Sequence, residues 1–253
     1  FDSEGMKERY PDIFFSQFTG AELVADKWNL SREDLDQFAL ESHQKAAQAT
    51  ESKYFDKEIL PVEGKNAEGI NDLVMADEGI RFDASLDKLA GLNPVTEGGK
   101  ITAGNASQIT DGAAAVLICN DAGLKKIKSN PRAEIVSISV VGDDPVFMLT
   151  GPIPASHKAL DIAKLSIDDM DIYEVNEAFA PVPLAWAEEL KADRSKLNVN
   201  GGAMALGHPL GATGAKLMTT MLHELERRKG KYALQAICEG GGTANATIIK
   251  RVS

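Results

Sequence analysis

The pattern of apolar and polar positions changes near residue 100. Before that point, Ser31 and Asp34 resemble the two ends of a capping box, and apolar or small residues recur behind them at helical spacing. These residues are Leu35, Phe38, Ala39, Ser42, Ala46 and Ala49. The pattern predicts a helix over 32–51.

Beyond this helix the periodicity breaks into short pieces. An extended stretch over 58–62 is interrupted by Pro61, and acidic and glycine-rich turns follow it. A short helix over 86–90 ends at Gly91. We therefore expect an irregular, loop-rich subdomain in this part of the chain.

After residue 100, apolar strands alternate with amphipathic helices. Apolar runs predict strands over 113–119, 135–141, 171–175, 234–238 and 246–252. Periodic patterns predict helices over 154–164, 177–190 and 211–228. This order of elements indicates an α/β layered domain with a mixed sheet.

Three segments of this second part combine a polar side chain with small neighbours, at loop positions where α/β folds usually carry their sites. They hold Asn176 after a strand, His208 before a helix and Cys238 at a strand end. Glycines around His208 and at 240–242 let the backbone turn sharply and leave N–H groups free to point at an oxyanion. An amide, an imidazole and a thiol can therefore converge.

The same residue types also have structural roles. A cysteine in an apolar strand is usually a small buried hydrophobe, which is our interpretation of Cys119. Asn176 is also able to cap a helix that begins at 177. The glycines match neither a phosphate loop nor a dinucleotide-binding turn. The remaining histidines lie in polar helical patterns and are interpreted as solvated or structurally satisfied. They are His43, His157 and His223.

Composition restricts the class of partner. The 253 residues are 43% hydrophobic and 26% charged, which is typical of a globular protein with a sizeable core. A net charge of -11 argues against nucleic acid or an anionic membrane as a partner, because both would be repelled. With only two cysteines, we expect neither a disulfide framework nor a paired-cysteine metal site of the structural-zinc type. We expect a reducing, cytoplasmic environment.

Six segments together resemble the thiolase family of acyl-CoA transferases. They are, in chain order, SREDLDQFALESHQKA, ITAGNASQITDGAAAVL, GPIPAS, NEAFA, NVNGGAMALGHPLGATGA and CEGGG, and the resemblance covers nearly the whole chain. It implies a thiolase-like layered α/β fold, with a mixed β-sheet and helices on both faces, a loop-rich subdomain and an incomplete N-terminal domain.

The resemblance also implies catalytic roles. Cys238 would be the acid/base at the α-carbon of acetyl-CoA. His208 would activate the nucleophile and, with a water held by Asn176, form an oxyanion hole, and the backbone N–H of Gly240 would belong to a second one. A thiol pKa of about 8.5, lowered by a nearby donor, would suit a base near neutrality.

Coenzyme A and acyl-CoA are the ligands that the resemblance implies, as substrates, with no further cofactor and no metal. Ser107 is expected to contact the pantetheine arm, Arg81 to lie near the CoA nucleotide, and Ala178 and Phe179 to contribute to the CoA site. A homodimer or homotetramer is expected from the resemblance.

The nucleophilic cysteine of the family belongs to a Cys-x-Ser-Gly type motif, and neither cysteine here has that context. The chain also begins at Phe1 without a signal or transit pattern. We expect this sequence to be the C-terminal part of a longer chain. On its own it should be inactive and should not fold stably. In family terms 1–100 would be a loop domain over the CoA site, 101–123 the end of the N-terminal domain and 124–253 the C-terminal domain.

An acyl-CoA thiolase is therefore the first functional hypothesis. A non-catalytic acyl-CoA or lipid-binding protein, and a structural chain of a hetero-oligomer, are the alternatives. The retained Asn176, His208 and Cys238 favour catalysis. Loop 14–20 lacks a methionine that the resembling short-chain biosynthetic enzymes carry nearby, and Glu239 and residues 243–245 differ from the commoner apolar or glycine residues after the cysteine. Both departures favour a degradative enzyme for 3-ketoacyl-CoA of some length.

Overall fold

The computed structural model describes residues 3–65 and 69–252. Its helices are α1 (Glu4–Arg9), α2 (Gln17–Lys27), α3 (Arg32–Glu51), α4 (Leu86–Ala90), α5 (Asp121–Ile127), α6 (Pro152–Ala163), α7 (Pro181–Leu190), α8 (Ala203–Leu206) and α9 (Thr213–Arg228). Its strands are β1 (Val62–Lys65), β2 (Asn71–Val74), β3 (Ala133–Gly142), β4 (Ile172–Val175), β5 (Tyr232–Cys238) and β6 (Thr243–Arg251). Within the described residues, no helix is long and apolar enough to cross a membrane.

A four-stranded sheet in the order β3-β6-β5-β4 forms the centre of the molecule. β4 and β5 are parallel, and the other neighbours are antiparallel. Successive residues of a strand face opposite sides, so Leu234 and Ile248 pack with α6 and α7, while Ala233 and Ile249 pack with α9. The predicted mixed sheet with helices on both faces is confirmed.

The long helix α3 packs directly on the loop that leads to α8. Ser31 and Asp34 form its capping box as predicted, with Ser31 N 2.8 Å from Asp34 Oδ2. Gly201 has φ of 81°, and a Cβ there would meet the carbonyl oxygen of Ser42 at 2.6 Å. Glycine therefore permits both the left-handed turn and the close approach of helix and loop.

Residues 54–65 and 69–100 are loop-rich, as expected. The extended stretch predicted over 58–62 begins later, at Val62, where β1 pairs antiparallel with β2. The short helix α4 lies where it was predicted, with Gly91 at its C-terminal cap.

The prediction of a buried strand over 113–119 is wrong. Residues 111–120 have no regular structure, and the side chains of Leu117 and Ile118 are exposed. Cys119 is exposed as well, not buried as expected. An apolar run carries no information about the strand that would cover it, and no described strand pairs with this segment.

Helix α7 begins at Pro181, not at 177 as predicted. Residues 176–180 instead form a loop in which Phe179 pairs with Ala106 through an isolated antiparallel bridge. The side chain of Asn176 therefore caps no helix. The other predicted elements after residue 120 are present, with their ends shifted by about one to three residues.

His223 connects α9 to the loop that follows α3. Its Nδ1 lies 3.3 Å from Glu58 Oε2 and 2.8 Å from the carbonyl oxygen of Thr219. Glu58 also accepts a hydrogen bond of 2.9 Å from the hydroxyl of Thr220. The hydrogen bond to Glu58 raises the pKa of His223, although burial and the charge of Arg132 oppose the rise.

The raised pKa predicts a pH-dependent contribution of His223 to stability. Protonation favours the folded state, so the contribution is complete below the ordinary histidine pKa of about 6.5 and is lost as the pH rises through the raised value. His223→Gln should lower the midpoint of urea unfolding more at about pH 5.5 than at about pH 8.5. His157→Gln, which alters an exposed histidine of α6, is the control. Equal losses at both pH values for His223→Gln would contradict the prediction.

Candidate active site

Two of the predicted site residues lie at the same edge of the sheet because β4 and β5 run parallel. Val175 pairs with Ala236, and Asn176 N donates a 3.0 Å hydrogen bond to the carbonyl oxygen of Ala236. Asn176 thus leaves the sheet where β5 ends at Cys238. Parallel strands present their carboxyl ends together, which places the amide and the thiol at one edge.

The loop that carries His208 lies close to residues 108–110. His208 N donates a 3.1 Å hydrogen bond to the carbonyl oxygen of Gln108. Gly207 has φ of 80°, and a Cβ there would lie 2.2 Å from Thr110 Oγ1. At Gly214, a Cβ would lie 3.6 Å from Ile237 Cδ1, so the start of α9 packs on the end of β5. These contacts bring His208 to the edge that holds Asn176 and Cys238.

The hydrogen bonds around His208 define its tautomer. Thr213 Oγ1 lies 2.7 Å from His208 Nδ1 and donates to the carbonyl oxygen of Pro209 at 3.1 Å. A hydroxyl has one proton, so Nδ1 must be the donor toward Thr213. Nε2 then has a free lone pair, and Asn176 Nδ2 lies 3.5 Å from it, at the long limit of a hydrogen bond.

The imidazole of His208 is held in its neutral form. Burial lowers its pKa, and the nearby ammonium group of Lys216 lowers it further. Lys216 donates to the carbonyl oxygen of Leu206 and lies 3.7 Å from Asp77 Oδ1. A neutral imidazole with an open Nε2 is suited to accept a proton.

Glu177 joins the site loop to three other segments of the chain. Its Oε2 accepts hydrogen bonds from Ser42 Oγ at 2.7 Å and Met204 N at 3.1 Å, and its Oε1 accepts one from Asn198 Nδ2 at 2.9 Å. A Cβ at Gly202 would lie 2.2 Å from the carboxyl carbon of Glu177. Burial raises the pKa of Glu177, and these donors oppose the rise.

Cys238 is buried at the end of β5, and burial raises the pKa of its thiol to about 12. The carboxylate of Glu239 adds to the rise. The expectation that a nearby donor lowers this pKa is therefore wrong for this structure, because desolvation outweighs the hydrogen bonding. Cys238 is a protonated thiol at neutral pH and so begins as a proton donor.

The glycine turn after Cys238 has one open and one packed side. Gly240 has no atom within 4 Å of the place where a Cβ would stand. Gly242 has φ of 81°, and a Cβ there would lie 2.8 Å from the carbonyl oxygen of Asp143. The turn is thus anchored at Gly242 and open to a ligand at Gly240.

Three of the residues expected to bind CoA are neighbours. Ser107 N donates a 2.9 Å hydrogen bond to the carbonyl oxygen of Ala178, and Phe179 follows in the same loop. The ring of Phe18 meets the ring of Phe179 edge-on, with their centroids 5.4 Å apart. This ring contact joins α2 to the site loop, and the sequence did not indicate it.

Arg81 is exposed, and in the described part of the chain its side chain forms no hydrogen bond or ion pair with the other predicted site residues. Its backbone N–H donates to Nδ1 of the buried His43 at 3.1 Å, which gives His43 a structural role as expected. Gln108 ties this loop to the rest of the site, since its Nε2 donates to the carbonyl oxygens of Gly79 at 2.8 Å and Met204 at 2.6 Å.

Sequence reasoning missed the side chains that orient the predicted ones. Glu177 had a signal, since it is a charged residue in an apolar segment, but its three partners are distant in sequence. Thr213 lies five residues after His208, and a threonine at that spacing gives no sequence signal that it binds the imidazole. Among the described residues, no cluster of histidine, cysteine and acidic side chains could hold a metal ion.

Comparison with known families accounts for both parts of the chain. A family profile described as the N-terminal domain of thiolase matches residues 4–122. The profile described as the C-terminal domain of thiolase matches residues 129–251.

Individual relatives agree with these profiles. The chain is 55% identical to the steroid 3-ketoacyl-CoA thiolase FadA6 of Mycobacterium tuberculosis, over 99% of this chain and 60% of that protein. The crystal structure of the Bacillus anthracis acetyl-CoA acetyltransferase matches with a TM-score of 0.90 and 40% identity, over 96% of this chain and 61% of that one. Human mitochondrial 3-ketoacyl-CoA thiolase in complex with CoA matches with a TM-score of 0.86 and 44% identity, over 92% and 58%. The chain thus spans about three fifths of the length of these relatives.

The hydrogen bonds of Thr213 predict how the tautomer of His208 responds to substitution. Thr213→Val removes the acceptor of Nδ1–H and would leave a buried donor unpaired, so the proton should move to Nε2. Imidazole nitrogen chemical shifts from NMR report the tautomer directly. Thr213→Ser keeps the hydroxyl and should keep Nδ1–H. An unchanged tautomer in Thr213→Val would contradict the assignment.

Proposed function

The chain belongs to the thiolase family, and we propose that it carries the proton-transfer and oxyanion-binding part of the active site of an acyl-CoA thiolase. The reaction is the CoA-dependent cleavage of 3-ketoacyl-CoA or its reverse, the Claisen condensation of acetyl-CoA. The supporting observation is that Asn176, His208 and Cys238, which are distant in sequence, are brought to one edge of the sheet.

In this proposal His208 acts first as a base. Its lowered pKa and open Nε2 allow it to take the proton of an attacking thiol. The resulting imidazolium donates from Nε2 to the substrate oxygen, and Asn176 contributes the neighbouring donor, directly or through water. Thr213 supports both states, because Nδ1 keeps its proton throughout.

Cys238 transfers the second proton. In cleavage, the bond between the α- and β-carbons breaks, its electron pair forms the enolate of acetyl-CoA, and the enolate carbon takes the proton from Sγ. The thiolate of Cys238 then takes the proton of the CoA thiol that attacks the acyl group. A thiol whose pKa is about 12 gives a strong base once it is deprotonated, which suits the very weakly acidic α-carbon in the reverse direction. The N–H of Gly240 is proposed to stabilise the enolate oxygen.

The proposal requires a second cysteine as the acyl carrier. Cys119 lies in the segment Ile118-Cys119-Asn120 and has no Cys-x-Ser-Gly context, so we place the acyl carrier outside this sequence. We retain 1–100 as the loop domain, 101–123 as the end of the N-terminal domain and 124–253 as the C-terminal domain. Assembly into two or four copies and a cytoplasmic location also stay proposals.

For the substrate, we propose a 3-ketoacyl-CoA longer than acetoacetyl-CoA. The relative from Mycobacterium tuberculosis is named for a steroid 3-ketoacyl-CoA, and other relatives are named for 3-ketoacyl-CoA. Phe14 and Phe18 carry exposed ring surface on or beside α2, and Phe18 contacts Phe179 in the site loop. Apolar surface of this kind suits an acyl chain.

Loss of the thiol at Cys238 should remove proton transfer. In Cys238→Ala the enolate has no donor, and the rate of 3-ketoacyl-CoA thiolysis should fall by roughly 10²–10⁴-fold. Exchange of the α-protons of acetyl-CoA in D₂O should fall with it. Thiolysis is measured on the full-length protein by chromatography of the CoA esters.

Cys119→Ser serves as the control, because this exposed thiol has no role in the proposal. Full activity of Cys238→Ala would refute the role of Cys238. In the same assay a strict preference for acetoacetyl-CoA over longer esters would refute the proposed substrate class.

The two ends of the glycine turn should respond differently to alanine. In Gly240→Ala the added methyl group meets no other atom of the chain, so the protein should stay stable. Turnover should fall, because the methyl group points into the space proposed for substrate. Gly242→Ala meets Asp143 and requires a left-handed alanine, which should cost about 1–2 kcal/mol of unfolding free energy. Thermal unfolding and thiolysis rates separate the two effects. A stable, fully active Gly240→Ala would remove the second oxyanion hole from this turn.

A further inference from the structure

A small cavity lies behind Asn176, on the side of the sheet that α9 covers. Most of its lining is apolar, and its polar side chains are those of Glu174, Asn176, Thr213, Lys216 and Thr220. The volume in which the centre of a water molecule fits is about 10 Å³, so the cavity has room for one water. Glu174 and Asn176 are both 1% exposed, so the cavity is part of the interior.

Two oxygen atoms at this cavity have no hydrogen-bond partner among the described residues. They are Glu174 Oε1 and Asn176 Oδ1. Glu174 is two residues before Asn176, and Val175, the last residue of β4, lies between them. A buried unpaired oxygen typically costs about 1–3 kcal/mol, so two of them in one cavity indicate a shared donor. A single water has two protons and is able to satisfy both.

We propose that Glu174 is a positioning residue, which fixes the amide of Asn176 through one water molecule bound in this cavity. Lys216 determines the orientation of that water. Its ammonium group only donates, so it directs the lone pair of the water toward itself and the two water protons toward Glu174 Oε1 and Asn176 Oδ1.

The orientation of this amide matters for the site. An asparagine side chain presents an oxygen and a nitrogen of nearly equal size, and only hydrogen bonds decide which way each points. With Oδ1 held by the water, Nδ2 faces His208 Nε2, where the structure places it. In the opposite orientation the oxygen would face the lone pair of Nε2 and offer no donor to a substrate oxygen.

The state of Glu174 is consistent with this role. Burial raises its pKa well above the ordinary value, and the carboxyl groups of Glu177, Glu58 and Glu224 add to the rise, while Lys45 opposes it. A raised pKa favours the neutral carboxyl group, which keeps a carbonyl-type oxygen as an acceptor. A glutamine in its place would offer the same acceptor at nearly the same size.

Two substitutions separate positioning from mere packing. Glu174→Gln keeps an acceptor and should keep kcat within about 3-fold of the parent protein. Glu174→Met has similar length and no acceptor, and should lower kcat for thiolysis by about 10-fold or more with KM little changed, because a misplaced oxyanion donor acts on the transition state. Gln235→Met is the matched control, since Gln235 pairs with Glu174 in the sheet and is buried, but does not line the cavity.

The expected effect on turnover rests on the proposed function, whereas the expected binding of the water does not. A crystal structure of the protein at high resolution should show a water within about 3.2 Å of both Glu174 Oε1 and Asn176 Oδ1, and Glu174→Met should lose it. If Glu174→Met does not fold, the parent crystal structure and Glu174→Gln carry the test. Absence of the water, or equal kcat values for Glu174→Met and Gln235→Met, would overturn the proposal. A parent protein that binds the water but lacks thiolysis would instead refute the proposed function.

Discussion

The buried carboxyl group of Glu177 holds the site together. It follows Asn176 directly, and its oxygens accept hydrogen bonds from α3 through Ser42, from the loop before α8 through Asn198, and from α8 through Met204. Each such bond contributes about 1 kcal/mol, but leaving one donor unpaired would cost more. One side chain thereby fixes three segments that are distant in sequence relative to the loop that carries Asn176.

Burial favours the neutral form of three titratable groups at the sheet edge. Burial lowers the pKa of His208 and raises those of Cys238 and Glu174, which favours the uncharged form of the imidazole, the thiol and the carboxyl group. A site of neutral groups and fixed N–H dipoles stabilises charge that forms during a reaction, because nothing nearby has to reorganise. The charge of Lys216 reinforces the neutral state of His208.

Glycines in the sequence indicated where the chain would be crowded, but not what would crowd it. Gly202 leaves room for Glu177, Gly207 for Thr110, and Gly201 for the backbone of α3. The sequence shows that a glycine has no Cβ at these positions. The atom that occupies the position of the Cβ belongs to a segment about 25 to 160 residues away, so only the folded chain identifies it.

The sequence by itself determined the elements whose pattern is local. The helix at 32–51, the alternation of strands and helices after residue 120, and the three segments with Asn176, His208 and Cys238 all follow from neighbouring residues. Tertiary structure decided whatever depends on burial and distant partners. It left 113–119 uncovered, moved the start of α7 past Asn176, and raised the pKa of Cys238, because desolvation depends on the whole surrounding fold and not on the residues beside the thiol.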